Sequence, residues 1–224
     1  MATRIKFHQS LDELKERLLI MAGMAEQAIQ RSIEAYTTRD LSICELVFRS
    51  EPAINRLERE IDQMALDLLA MEQPMAIDLR FILAVIKINH DLERIGDQSV
   101  GLARRTRDSL KMDFIDLPVD LGAMGEYSTR MIRTAIQALL EGDARLADSV
   151  RDMDDEIDRM NRRAITDLLS LIQERPNCTQ QAMNGLFVAR SLERISDHAC
   201  NIASDVIFWV RGADVRHQLS LSTD

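Results

Sequence analysis

The sequence repeats itself at a separation of about 100 residues, and this duplication constrains the fold more than any other feature. Asp91–Arg105 read DLERIGDQSVGLARR, and Ser191–Asp205 read SLERISDHACNIASD. Nearer the start of each copy the separation is 103 residues, which aligns Asp40 with Asp143. The offset holds within each helical stretch and changes by three residues between them. A duplicated fold behaves in this way because loops absorb deletions that packed elements do not.

Apolar residues recur at intervals of three and four, which predicts long amphipathic helices. Leu14, Leu18, Met21 and Ala25 show this period near the start of the chain. Only 8 Gly and 4 Pro occur in 224 residues, a composition that favours helices over sheets. We therefore expect an all-α fold of two tandem, similar three-helix bundles, built from six long antiparallel helices joined by short turns. Their predicted ranges are 4–38, 41–71, 76–111, 118–140, 143–172 and 179–210.

Four residues mark the expected helix boundaries. Asp40 is a good N-cap for the second helix, and Pro74 separates the second helix from the third. Pro118 fits the first turn of the fourth helix, and Gly212 fits the C-terminal end of the last one. The predicted units are a first bundle at 1–114, a second bundle at 115–212 and a frayed C-terminal tail at 213–224.

Charge and hydropathy limit the location and the partners. The formal net charge of -9 argues against nucleic acid as the main partner. No stretch approaches the roughly 18 apolar residues of a spanning helix, and the N-terminal residues do not resemble a secretory leader, so we expect a cytoplasmic protein. Cys44, Cys178 and Cys200 are odd in number and lack CxxC spacing, which indicates reduced packing residues.

Acidic residues occur in pairs four positions apart within the duplicated motif. These pairs are Glu93 with Asp97 and Glu193 with Asp197. On a helix this spacing places both carboxylates on one face, about 6 Å apart along the axis. The repulsion within one such pair is about 0.2–0.5 kcal/mol, so a single pair on a solvated surface needs no special explanation.

The preceding helix of each copy supplies a second pair. In the second copy it is Asp154 with Asp158, and the aligned residues of the first copy are Glu51 with Asn55. The second and third helices of a bundle are antiparallel neighbours, so the pairs of each copy can converge on one cluster of oxygen ligands. Such a cluster needs a cation, a proton or nearby arginines to offset its charge.

Oxygen ligands suit hard cations such as Mg²⁺, Mn²⁺ or Ca²⁺, and they also accommodate iron. His90 lies one turn before Glu93 and can add an imidazole, whereas Arg190 stands at the aligned position of the second copy. His198 follows Asp197 directly and points about 100° away from it, which is more typical of a hydrogen-bonding residue than of a ligand.

The residues alone leave an alternative open. Arg56, Arg94, Arg159 and Arg194 can neutralise the acids through salt bridges between helices. In that case the protein is a metal-independent helical scaffold. A carboxylate-bridged di-metal enzyme is a third class, but it would use Glu-x-x-His motifs, and Gly96 and Ser196 occupy the required positions. There is also no Gly-rich phosphate loop, so we expect a non-catalytic protein.

The stretches DLERIGD, SLERISD, EQPMAIDLR and IFWVRGADVRH resemble the PhoU family of phosphate-transport accessory proteins. The resemblance extends over essentially the whole chain. It implies a cytoplasmic, homodimeric regulator built from two three-helix bundles whose E/DxxxD motifs bind divalent or trivalent metal ions, with Mg, Mn, Fe and Zn as candidates. It also implies two partners, a phosphate-sensing histidine kinase and the ATPase of the phosphate-specific ABC transporter. Such proteins repress the starvation response, restrain phosphate uptake and meet the membrane only through their partners.

The resemblance also implies a set of metal ligands. Three pairs match the family motif, and the fourth departs from it at Asn55, so we expect a weaker site in the first copy. On the same face of the last helix stand Asn201 and Asp205, where the first copy has Gly101 and Arg105. The second copy is therefore expected to hold metal more firmly. The implied ligands are Glu51, Asn55, Glu93, Asp97, Asp154, Asp158, Glu193 and Asp197.

Overall fold

The computed structural model describes residues 2–72, 74–213 and 215, and all regular structure in these residues is helical. The first copy contains three α-helices and the second contains four. A short 3₁₀ turn directly precedes the last helix. This confirms the predicted all-α fold of two tandem units. The helices are α1 (Ala2–Thr38), α2 (Leu41–Glu72), α3 (Ile77–Ser109), α4 (Leu121–Glu141), α5 (Ala144–Asp152), α6 (Asp154–Glu174) and α7 (Thr179–Arg211), with the 3₁₀ turn at Pro176–Cys178.

The predicted fifth helix, 143–172, consists of two helices that meet at Met153. The Met153 N–H donates to the carbonyl of Val150 at 3.1 Å, a tighter i to i−3 bond that ends α5. Three acidic residues follow at once and occupy the first turn of α6. Acidic side chains favour this position because the N-terminus of a helix carries partial positive charge. The prediction of one continuous helix here is therefore wrong.

The fourth helix also begins later than predicted. Pro118 lies outside it, because Asp120 is the N-cap and its Oδ1 accepts a hydrogen bond from Ala123 N at 2.8 Å. Other boundary predictions are confirmed. Asp40 Oδ1 accepts from Ser42 N at 2.7 Å at the start of α2, and Gly212 ends α7 in the left-handed conformation with φ of 72°. Most of the predicted tail, 214 and 216–224, lies outside the described residues.

The two copies share a hydrophobic core. Helix α3 packs against α7, and α1 packs against α4, so both contacts join one copy to the other. Buried apolar residues from both copies belong to one cluster, including Leu18 and Leu92 from the first copy and Met131 and Ile195 from the second. Within each copy, α2 packs against α3 and α6 packs against α7. These two helix pairs carry the candidate ligands. None of the helices in the described part of the chain has the length and apolarity needed to span a bilayer.

Candidate metal-binding clusters

In the first copy the centre of the candidate site is Glu93 on α3. Its side chain is 13% exposed, and its Oε2 atom is buried without a hydrogen-bond partner. The Arg94 Nε lies 3.4 Å from this oxygen, and Arg94 Nη1 lies 3.5 Å from Asp97 Oδ2. Arg94 thus spans the Glu93 and Asp97 pair from the solvent side, but it leaves the buried oxygen of Glu93 without a proper donor.

Glu58, which is not among the acidic pairs of the sequence, completes this centre. Glu58 on α2 and His90 on α3 each place a ligand atom near Glu93, and the three atoms lie within 4.8 Å of one another. His90 Nδ1 is 3.9 Å from Glu58 Oε1. Glu58 lies seven residues after Glu51, hence on the same helical face, and this spacing was the signal that could have revealed it.

The other two first-copy candidates, Glu51 and Asn55, lie closer than Glu58 to the N-terminus of α2. Glu51 forms an ion pair with Arg104 of α3, with 3.7 Å between Oε2 and Nη2. Asn55 makes no hydrogen bond among the described residues. We call the group the first cluster: Glu51, Asn55, Glu58, His90, Glu93 and Asp97.

In the second copy two carboxylates of α6 and two of α7 lie near one another, although among the described residues no three of them place oxygen atoms within 4.8 Å of one another. We call them the second cluster: Asp154, Asp158, Glu193 and Asp197. Desolvation raises the pKa of Asp197, and the nearby charges of Asp154 and Asp158 raise it further. Desolvation followed by the charge of Asp197 likewise raises the pKa of Glu193. The two helices therefore bring the acidic pairs close enough to oppose one another's ionisation.

The second cluster is only partly neutralised by neighbouring groups. Arg162 Nη1 lies 3.2 Å from Asp158 Oδ2, and Arg190 Nη1 lies 3.4 Å from Glu193 Oε1. The Cys200 thiol donates to Asp154 at 3.5 Å, and burial raises the pKa of that thiol so that it remains a donor. The pKa of Asp154 is raised, first by desolvation and also by Asp158, while the Cys200 hydrogen bond opposes the shift.

The arginines that were expected to bridge helices do not do so. Arg94 and Arg159 pair only with acids of their own helices, at Glu93, Asp97 and Glu156. Within the described part of the chain, Arg56 and Arg194 form no ion pair. The salt-bridge ladder proposed as the alternative to metal is therefore absent in the form expected from the sequence.

The corresponding glutamates of the two clusters share one feature that fits a bound cation. Glu193 Oε2, like Glu93 Oε2, is buried and has no hydrogen-bond partner among the described residues. An unpaired buried carboxylate oxygen is strongly unfavourable, and a metal ion satisfies it directly. The surrounding donor set is mostly carboxylate oxygen, with an imidazole in the first cluster only. These residues suit hard or borderline cations.

Three polar residues near the second cluster belong to the contact between the copies. His198 Nδ1 lies 2.8 Å from Asp91 Oδ1, and Asn201 Nδ2 donates to the same oxygen at 3.2 Å. Asp205 Oδ1 lies 3.4 Å from Lys87 Nζ. Asn201 and Asp205 therefore hold α7 against α3 and do not extend the second cluster. His198 has the hydrogen-bonding role expected from its position.

The fold and the clusters define a class of protein: all-helical tandem repeats in which the second and third helical segments of each repeat bring acidic residues together. The family model described as the PhoU domain matches residues 18–106 and 121–206, and the chain belongs to the PhoU family.

Curated relatives and solved structures agree with this assignment. A protein of Pseudomonas aeruginosa described as a phosphate-specific transport system accessory protein PhoU homolog is 36% identical over 215 residues, covering 95% of this chain and 88% of that protein. The PhoU protein of Escherichia coli is 27% identical over 212 residues, covering 95% and 88%. The names of these relatives describe accessory proteins and not enzymes, in agreement with the expectation of a non-catalytic protein.

Two crystal structures cover nearly the whole chain. PhoU from Pseudomonas aeruginosa superposes with a TM-score of 0.88 at 34% identity, covering 92% of this chain and 100% of that one. The phosphate transport system regulatory protein PhoU from Streptococcus pneumoniae gives a TM-score of 0.83 at 27% identity, covering 93% and 99%. The duplicated architecture is thus common to these proteins.

Proposed function

We propose that this chain is a cytoplasmic accessory protein of phosphate-specific transport. In this role it couples the transporter ATPase to a phosphate-sensing histidine kinase, represses the starvation response when phosphate is plentiful and restrains phosphate uptake. The observation that supports this most strongly is the full-length correspondence with PhoU proteins, in sequence and in both repeats of the fold. We further propose that the protein acts as a homodimer and meets the membrane only through its partners.

The first and second clusters are proposed to bind divalent or trivalent cations, with Mg, Mn, Fe and Zn as candidates. Glu93 and Glu193 would be the central ligands, since each has a buried oxygen without a hydrogen bond. When bound, a cation supplies positive charge that offsets the mutual repulsion of the carboxylates. Glu51, Asn55, Asp97, Asp154, Asp158 and Asp197 are proposed as the remaining motif ligands, and Glu58 and His90 are added from the geometry.

A gene deletion tests the regulatory role. In phosphate-rich medium we expect deletion to switch on a starvation-inducible reporter and to raise phosphate uptake, and the unaltered gene to reverse both effects. A reporter that remains repressed after deletion would contradict the proposal.

The double variant Glu93→Gln/Glu193→Gln separates metal-dependent regulation from the metal-independent scaffold. If metal is required, the folded double variant fails to restore repression. If the variant restores repression fully and the unaltered protein retains no metal after dialysis, the scaffold alternative is correct. Circular dichroism and thermal melting of both proteins establish that the variant is folded.

A further inference from the structure

A shallow, predominantly basic groove lies between α1 and α2. Its volume is about 430 Å³. Three of its side chains are arginines, all exposed, and none of the three forms an ion pair among the described residues. Unpaired arginines grouped in this way are notable in a chain whose net charge is -9. We call this surface the basic groove: Arg17, Arg56, Arg59, Glu60, Gln63 and Met64.

The second copy shows what the same arginines do when acids are available. Arg159 and Arg162 align with the two groove arginines of α2. Arg159 Nη2 lies 2.7 Å from Glu156 Oε2, and Arg162 Nη1 lies 3.2 Å from Asp158 Oδ2. Each arginine of the second copy is therefore paired within its own helix.

The first copy lacks both acids. Ala53 stands where the second copy has Glu156, and Asn55 stands where it has Asp158. Neither an alanine methyl group nor a neutral amide can form an ion pair, so Arg56 and Arg59 are left free. Arg17 on the adjacent helix adds a third positive charge to the same groove. The aligned arginines thus form ion pairs within their own helix in the second copy, whereas in the first copy they are available to an external anion.

We propose that the basic groove binds an acidic segment of a protein partner. Guanidinium groups pair with carboxylates in a planar, two-bond geometry that suits Asp and Glu side chains. Met64 packs against the core and supplies an apolar wall for the stem of the incoming segment. Binding requires several arginines because one exposed ion pair contributes little binding free energy by itself.

The surroundings of the groove favour a protein segment over other anions. Asp12, Glu13 and Glu16 on α1 are exposed close in sequence to Arg17 and would be repelled by an anionic lipid surface. An acidic peptide is repelled by the same acids and by Glu60 of the groove, so its carboxylates have to be confined to the three arginines, which a narrow segment allows and a flat lipid surface does not. A small ion such as phosphate would find exposed guanidinium groups but no buried donor to hold it. The inference goes beyond the proposed function, because it assigns a docking surface that neither cluster provides.

Fluorescence anisotropy of the full chain with a short fluorescein-labelled poly-glutamate peptide tests the inference. At low ionic strength we expect binding that weakens steeply with added salt. The variant Arg17→Gln/Arg56→Gln/Arg59→Gln should bind the peptide roughly tenfold or more weakly. The matched control Arg159→Gln/Arg162→Gln removes two arginines that are already paired and should retain nearly full affinity.

A second variant tests the argument without removing an arginine. Ala53→Glu restores the acid found at position 156 of the second copy, so it should pair with Arg56 and weaken peptide binding severalfold. Circular dichroism and thermal melting establish that each variant remains folded.

Three results would overturn the inference. These are no peptide binding by the unaltered chain, an equal loss of affinity in the triple variant and the matched control, or binding of anionic phospholipid vesicles or inorganic phosphate in place of the peptide. The reporter assay distinguishes this failure from failure of the proposed function. Repression that depends on the chain, combined with peptide binding that does not depend on the groove arginines, would overturn this inference alone.

Discussion

The two clusters occupy equivalent places in the repeats but present different chemistry. The first cluster combines carboxylates with the Asn55 amide and the His90 imidazole, and three of its ligand atoms already lie within 4.8 Å. The second cluster contains four carboxylates, and Asp154 also accepts a hydrogen bond from the Cys200 thiol. Duplication has therefore kept the helix positions while the side chains at those positions have changed.

Burial and like charge raise carboxyl pKa values in both clusters. The pKa of Asp154, Glu193 and Asp197 is raised, in each case first by desolvation and then by neighbouring acids among other groups. In the first cluster the pKa of Glu93 is raised by desolvation, Asp97 and Glu58, whereas Arg94 and His90 oppose the shift. Each cluster contains four carboxylates, so both hold like charge that a cation can offset.

The backbone around the two clusters differs as well. Helix α2 continues through Pro52, where Val47 and Ile54 are buried on either side. The second copy has no proline at the aligned position, yet its helix is interrupted at Met153. Packing thus tolerates a proline in one repeat, while in the other a tight turn places the acids of α6 at a favourable helix N-terminus.

The largest expected effect comes from removing the central glutamate of one cluster. We expect Glu193→Gln to weaken metal binding in the second copy by at least about a hundredfold and Glu93→Gln to do the same in the first. Each change should leave the other copy loaded. Elemental analysis after equilibrium dialysis, together with calorimetric titration, measures this. The control is Glu45→Gln, an exposed acid outside both clusters. Simultaneous loss of both sites in either single variant would contradict independent clusters.

A smaller effect is expected from exchanging the ligands that distinguish the repeats. Asn55→Asp should raise the affinity of the first copy for a hard cation such as Mn²⁺ by roughly tenfold, because a charged oxygen replaces a neutral one. Asp158→Asn should lower the affinity of the second copy to a similar extent. Titration of each variant with Mn²⁺ provides the measurement. Equal metal occupancy of both copies in the unaltered protein would contradict the expected difference.

The smallest effect concerns stability without metal. Asp154→Asn removes one like charge from the second cluster, and both it and Asp155→Asn remove an acid from the favourable first turn of α6. Relative to Asp155→Asn, we therefore expect Asp154→Asn to raise the free energy of unfolding at pH 7 by about 0.5 kcal/mol. The raised pKa of Asp154, Glu193 and Asp197 means that the folded chain binds more protons at these groups than the unfolded chain. Their contribution to stability therefore falls as pH rises from the ordinary carboxyl pKa through the raised one. Asp154→Asn should flatten this dependence.

Urea unfolding in the presence of a chelator, at pH 5 and at pH 7, checks both parts of this prediction. Asp155→Asn serves as the control, because Asp155 is exposed and lies outside the second cluster. A larger gain in stability at pH 5 than at pH 7 would contradict the sign.

Much of the fold follows from local pattern, and much of the site does not. The three and four periodicity and the Asp40 cap predict helix positions because both depend on neighbouring residues only. The break at Met153 was missed because the apolar period continues across it. The pattern of acids four residues apart does not include Glu58, because Glu58 lies seven residues after Glu51 and its ligand partners stand on another helix.

The sequence by itself determined that the fold is a duplicated set of helices. It also determined that the two acids of each pair lie on one face of their helix, since a helix places residues four apart on the same side. Only the tertiary structure decided that the two copies share a core, and that Asp91 meets His198 across α3 and α7. It also decided that Glu58, His90 and Glu93 converge, while Arg94 and Arg159 pair with acids of their own helices. These outcomes depend on how helices pack and cross, which is set by the combined fit of many side chains and not by the spacing of a few.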